Sequence, residues 1–243
     1  MITLPNNDAT ADFRPRKPRE PITAKADNAA PGRGLREPFS AISHIVGAGL
    51  SVAAMVILII LSHGRPWHVV SFSLYGVSLI LLFTASSLHH SLSVSEKYAV
   101  RLQRFDHSMI YLLILGSYTP LCLITLRGGW GWSLFGVEIG LATVGIAFSM
   151  FWKRVPDWVR LALYLVMGWM VVIAIVPLRA ALSNVAWGWL VAGGVTYSLG
   201  AVIFALDRPH LIPGRFHAHD LWHCFVLAGT IFHFIFMLLL VLK

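Results

Sequence analysis

The residues best placed to do chemistry in this chain are histidines, and their spacing is informative. His219 and His223 stand four residues apart. On a helix that interval puts two imidazoles on one face, about 6 Å apart along the axis, where they can share one metal ion. Ser86 and His90 have the same interval, so the serine lies one turn from His90 on its face. The 15-residue connection that follows His90 can return the chain to the same depth at Asp106. Three imidazoles and one carboxylate can then meet. Such a set suits a single zinc ion, and three protein nitrogens leave a fourth tetrahedral position open, as catalytic sites do. The competing reading is that buried histidines only bond between helices, at about 0.6–2 kcal/mol each.

The elements that must position these groups are membrane helices. The chain is 57% hydrophobic and only 12% charged, with mean hydropathy +0.72, where soluble domains carry about 25% charge. That excludes a soluble globular enzyme and a wholly disordered chain. Residues 1–37 hold 12 of the 30 charged side chains and five of the twelve prolines. This segment lacks the apolar run of a signal peptide and reads as a flexible tail. Seven apolar spans follow, near 40–62, 68–90, 106–126, 130–152, 158–178, 187–206 and 219–242. Each reaches the roughly 20 residues needed to cross a ~30 Å hydrocarbon core, and none alternates with period two. The expected fold is an all-α integral membrane protein: a tail over 1–37 and a seven-transmembrane-helix bundle over 38–243.

Charge sets the expected orientation. Fifteen of the 19 Lys and Arg fall in the tail and the even-numbered connections; only Arg65, Arg127, Arg179 and Lys243 fall on the other side. The asymmetry predicts a cytoplasmic N-terminus and an outside C-terminus. Trp67, Trp130, Trp132, Trp187 and Trp189 then lie near the outer boundary, as an aromatic belt. The net charge of +8 reads as topology, not as a nucleic-acid surface. This topology gathers eight of the eleven histidines near the cytoplasmic face. His44, one turn into the first span, either supports the site by bonding to Asp106 or another carboxylate, or is simply interfacial. His89 and His107 are expected to face away from the site, and His217 to precede its helix. His233, about 15 Å beyond His223, is too far to share its metal. Glu138, the only carboxylate deep in a span, reads either as a functional group, as membrane carboxylates often are, or as a protonated group bonded to a neighbouring helix. Small residues at spacing four, such as Gly49 and Ala53, or Ala192, Thr196 and Gly200, read as helix contacts. Pro120 is expected to bend its span; Pro177 lies near an end. Cys122 and Cys224 are not expected to form a disulfide.

Three segments resemble a known family. SSLHHSLSVSEKYAVRLQRFDHSMIYLLILGSYTP (86–120), FHAHDLWHCFVLAGTIFHF (216–234) and EPFSAISH (37–44) are similar to motifs of the hemolysin III family, within the progestin and adipoQ receptor superfamily. The resemblance covers about 38–242. It implies seven helices with a cytoplasmic N-terminus. It also implies zinc ligands at His90, His219 and His223, with Asp106 reaching the metal through water and Ser86 in the Ser-x3-His motif. Glu37 and His44 belong to the opening motif, which often carries Asn where this chain has Ser40. The superfamily includes zinc amidases of lipids.

Three functions are compatible with these residues. In the first, a zinc-dependent hydrolase of a lipid amide or ester, Asp106 handles the water, Ser86 bonds the developing oxyanion and the acyl chain lies deeper between helices. The second is a pore-forming cytolysin, and the third a lipid-sensing receptor in which zinc only ties helices 2, 3 and 7 together. The partner is membrane lipid, and the resemblance together with short loops suggests a bacterial inner membrane.

Overall fold

The computed structural model describes residues 35–152, 155–209, 211–212 and 216–243. Most of the expected tail, with six of its seven basic residues, lies outside the described residues, as do Lys153, Arg154, His210 and Arg215. Seven helices are long and apolar enough to cross a membrane: α1 Pro38–Leu61, α2 Pro66–Ser91, α3 Glu96–Thr125, α4 Gly129–Phe151, α5 Asp157–Ala181, α6 Asn184–Leu206 and α7 Ala218–Val241. They match the expected spans to within a few residues except at α3. That helix begins ten residues early, because Ser95 and Glu96 start it while hydropathy marks only the part within lipid. Asp106 therefore sits well inside a helix rather than at its first turn.

Helices adjacent in sequence pack side by side, α1 closes the ring against α7, and α3 also touches α5. Glycines set some of the closest approaches. A Cβ on Gly116 of α3 would lie 2.1 Å from the Ser78 hydroxyl oxygen of α2, and one on Gly200 of α6 would lie 2.7 Å from Phe225 of α7. Gly49, expected at a contact, instead has open space around it, and it is Gly47 that packs on Phe83 and Leu227. Helix α1 is amphipathic in position only: much of its surface is apolar and faces outward, as lipid permits.

Two prolines interrupt the helical ladder. After Pro120, α3 continues through a π-helical turn, Leu121–Thr125, closed by the Leu126 amide donating to the Leu121 carbonyl at 2.8 Å. Helix α5 passes through a 3₁₀ segment, Met170–Ala174, before Pro177. The sequence reading gave Pro177 no role, yet a proline lacks the N–H that would bond four residues back. The broken stretch is held by Tyr118 of α3. Its hydroxyl accepts from the Val171 amide at 2.8 Å and donates to the Gly168 carbonyl at 2.9 Å.

At the end opposite the histidine cluster, two cations cap helix C-termini, whose last carbonyls lack partners. One Arg65 nitrogen donates to the Leu61 and Val241 carbonyls, both at 2.7 Å, serving α1 and α7 together. Lys243 donates to the Ala181 carbonyl of α5 at 2.9 Å, and the Arg127 guanidinium stacks 4.3 Å above the Trp67 ring. Glu138 is fully buried, but neither carboxyl oxygen has a hydrogen-bond partner; the expected bond to a neighbouring helix is not formed. Cys122 and Cys224 are both free.

Replacing Tyr118 by Phe strands one amide and one carbonyl in the bundle, a loss of about 1–3 kcal/mol. Thermal unfolding of the purified variant in detergent should show a clearly lowered midpoint; an unchanged midpoint would mean that α5 does not depend on this hydroxyl.

Candidate metal centre

The site forms where α7, α1, α2 and α3 meet at one end of the bundle. Helix α7 brings His219 and His223, one turn apart, and their Nε2 atoms stand 3.0 Å from each other. The last turn of α2 brings His90, whose Nε2 lies 3.4 Å from that of His219. Ligand atoms of all three lie within 4.8 Å of one another. Tetrahedral zinc with bonds of about 2.0–2.1 Å holds its nitrogens about 3.3–3.4 Å apart, close to the two separations from His219.

Each of two imidazoles is braced through its other nitrogen. His223 Nδ1 is 2.8 Å from His44 Nε2, and His90 Nδ1 is 2.5 Å from Glu37 Oε2. Ligand histidines are commonly oriented in this way. His44 thus meets a ring nitrogen rather than the carboxylate the sequence suggested, because α1 packs on α7. Glu37 is fastened twice, since its amide donates to the His90 carbonyl at 3.0 Å and Arg36 donates to its other carboxyl oxygen at 2.8 Å. Burial works to raise the Glu37 pKa, but the hydrogen bond from His90 and the neighbouring Arg36 guanidinium hold it down at about 2. The brace is therefore an ionised carboxylate.

Asp106 enters from α3, buried, and lines the same cavity as Ser86 of α2. Ligand atoms of His89, His90 and Asp106 form a second group within 4.8 Å. His89 was expected to face away. The 100° step from His90 turns its ring from α7 toward α3, which is where Asp106 stands, and its Nδ1 has no partner. Sequence reasoning also missed a clip at the entrance to α7. The Ser40 hydroxyl donates to Asp220 Oδ1 at 2.9 Å, while Oδ2 accepts from the His217 amide at 2.9 Å. His217 is the residue that caps α7, and an acidic side chain three residues after a cap is the signal that could have found the clip. Phe39 and Phe216, ring centroids 4.9 Å apart, add an apolar contact beside it.

A cavity of about 240 Å³ starts at this cluster, where His44, Ser86, Asp106, His219 and His223 line it. It continues between α3, α5, α6 and α7 past Tyr118 and Val226 to Trp187 and Met237. From His219 to Met237 is about 27 Å along α7, close to the ~30 Å thickness of a hydrocarbon core. Its far lining is apolar except for groups such as Tyr197, Ser198 and His233.

A family model described as haemolysin-III related matches residues 33–234. The chain belongs to the haemolysin III family. It is 41% identical over 211 residues to Hemolysin-3 of Bacillus cereus, covering 85% of this chain and 92% of that protein. It is 40% identical over 196 residues to a Hemolysin-3 homolog of Bacillus subtilis, covering 80% and 89%. At greater distance it is 26% identical over 176 residues to the human monocyte to macrophage differentiation factor, 69% of each chain, a member of the progestin and adipoQ receptor superfamily. The haemolysin III match takes in every residue of the cluster, from Glu37 to His223. The protein is therefore a multi-pass membrane protein with bacterial relatives.

The donor set leads to a direct expectation. Purified protein should hold close to one zinc per chain, and His219→Ala with His223→Ala should reduce that to near zero. His44→Ala or Glu37→Gln should weaken zinc binding about 10–100-fold without changing helix content. Full metal retention in the double histidine variant would overturn the assignment.

Proposed function

We propose that this protein is a metal-dependent hydrolase of an amide or ester bond in a membrane lipid, with one zinc ion held by His90, His219 and His223. The observation that supports it best is the convergence of three imidazole nitrogens, beside a buried carboxylate, at one end of a cavity that runs most of the way across the membrane. A purely structural tie between helices has no need of such a cavity. The charge asymmetry adds that this end faces the cytoplasm.

Zinc at these nitrogens would supply a Lewis acid for the lipid carbonyl and for a water molecule. The chain's own residues do the rest. The cavity receives the acyl chain and brings the scissile carbonyl to the imidazole cluster, where bulk water is scarce. Asp106 accepts the proton of the attacking water at a carboxyl oxygen and returns it to the departing nitrogen or oxygen as the acyl bond breaks. Ser86, on the same cavity wall, hydrogen-bonds the oxyanion that develops on the carbonyl oxygen. His44 and Glu37 keep the two ring planes in register through the reaction.

Two other readings make different predictions. The name of the Bacillus relatives invites a cytolytic role, and the bracing of α1, α2 and α7 through the cluster suits a sensor with a structural metal. Reconstituted protein should release fatty acid from one or more N-acyl or O-acyl lipids, and a chelator should abolish the release. Asp106→Asn should keep its zinc and fold yet lose turnover by about 10²–10⁴-fold. Absence of chelator-sensitive release from every acyl lipid would contradict the hydrolase. Liposome leakage that persists in the His219→Ala/His223→Ala variant would favour the cytolysin, and loss of folding with Asp106→Asn the structural metal.

A further inference from the structure

The imidazole cluster does not account for a charged pair at the mouth of the cavity. Asp157 and Arg160 line it there, beside His107. Arg160 is the one Lys or Arg lining the cavity among the described residues. Its ion-pair partner is Asp157, three residues earlier on the same turn; the arginine side chain is 18% exposed and the aspartate 70%. A pair of this kind contributes little to stability, so the fold does not explain why a guanidinium is turned inward.

The position of Arg160 is well defined. One turn further along α5, the Tyr164 hydroxyl donates to the His107 carbonyl at 2.9 Å. That bond locks α5 to the turn of α3 that carries Asp106. Arg160 therefore sits about one helical turn, some 6 Å, further toward the end of the bundle than Asp106. Trp152 and Trp158, both strongly exposed, mark the membrane–water boundary on the same connection. The guanidinium thus stands where hydrocarbon gives way to headgroups, a few covalent bonds from a carbonyl placed at the cluster. Its planar fork matches phosphate oxygens in pairs.

We infer that Arg160 is a headgroup-recognition residue and that the cavity takes an acyl lipid bearing a phosphate group. The inference rests on the lipid-hydrolase reading for the direction in which the lipid lies. In the bound state a phosphate oxygen pair replaces the exposed Asp157 carboxylate on the guanidinium, and the acyl chain runs toward Met237.

Binding to metal-stripped protein in an uncharged maltoside detergent tests this without any turnover. Hexadecyl phosphate and hexadecanol share a chain and differ in the phosphate; native mass spectrometry counts each on the protein. The wild type should prefer the phosphate by about tenfold or more, as a charge-assisted contact of this kind provides. Arg160→Ala should still bind hexadecanol but lose the preference, Arg160→Lys should keep part of it, and Arg101→Ala, at an exposed site, should keep all of it. If Arg160→Ala also loses hexadecanol, comparison of Arg160→Lys with Arg160→Gln decides, and only the lysine should retain preference. Equal binding of the two probes by wild type, or a preference that survives Arg160→Ala, would overturn the assignment. So would displacement of hexadecyl phosphate by an equal concentration of inorganic phosphate, which would indicate a soluble ligand. Because the metal is absent throughout, failure of the hydrolase reading would leave the phosphate preference intact.

Discussion

The structure turns on an electrostatic constraint: the Nε2 atom of His219 stands 3.0 Å from that of His223 and 3.4 Å from that of His90 at the buried end of a helix bundle. Facing lone pairs at that distance repel unless a proton or a cation lies between them. A neutral imidazole has a single N–H, which can bridge one such pair but not tie all three nitrogens at once. A single divalent cation satisfies all three nitrogens together. The outer bonds agree with this: His44 and Glu37 take up Nδ1 of His223 and His90, leaving Nε2 on both rings turned inward.

That constraint organises the helices around it. Glu37 is joined to α2 by both its amide and its carboxylate, and Ser40 ties α1 to the first turn of α7 through Asp220. Helices α1, α2 and α7 are thus joined where the cluster lies. Elsewhere the bundle loosens. The irregular turns after Pro120 and before Pro177 occur in α3 and α5, which both flank the cavity, and Tyr118 satisfies the backbone that the second of them frees. Rigidity at one end and an apolar channel along the rest is an arrangement suited to holding a lipid by its reactive part.

Much of this was legible in the sequence because lipid leaves few options. Seven apolar stretches had to be helices, and histidines in a membrane stand out against them. The alternating direction of the spans put His90 at one level with the His219/His223 pair, and their ligand atoms lie within 4.8 Å of one another. What escaped depended on rotation and contact between helices rather than on depth. His89 was set aside as the sequence neighbour of His90, yet the site is shared by four helices and α3 lies on that side. Ser40 and Asp220 meet across 180 residues, a distance no local pattern spans. Arg160 looked like one more topology signal, since charge counting does not say which way a side chain turns. The start of α3 was missed because hydropathy marks the lipid boundary and not the helix.

X-ray absorption at the zinc edge of the loaded, purified protein tests the central claim most directly. Three imidazole nitrogens at about 2.0–2.1 Å with one further light-atom ligand is the expected shell. Fewer than three imidazoles, or a sulfur at about 2.3 Å such as Cys224 would contribute, would contradict the account.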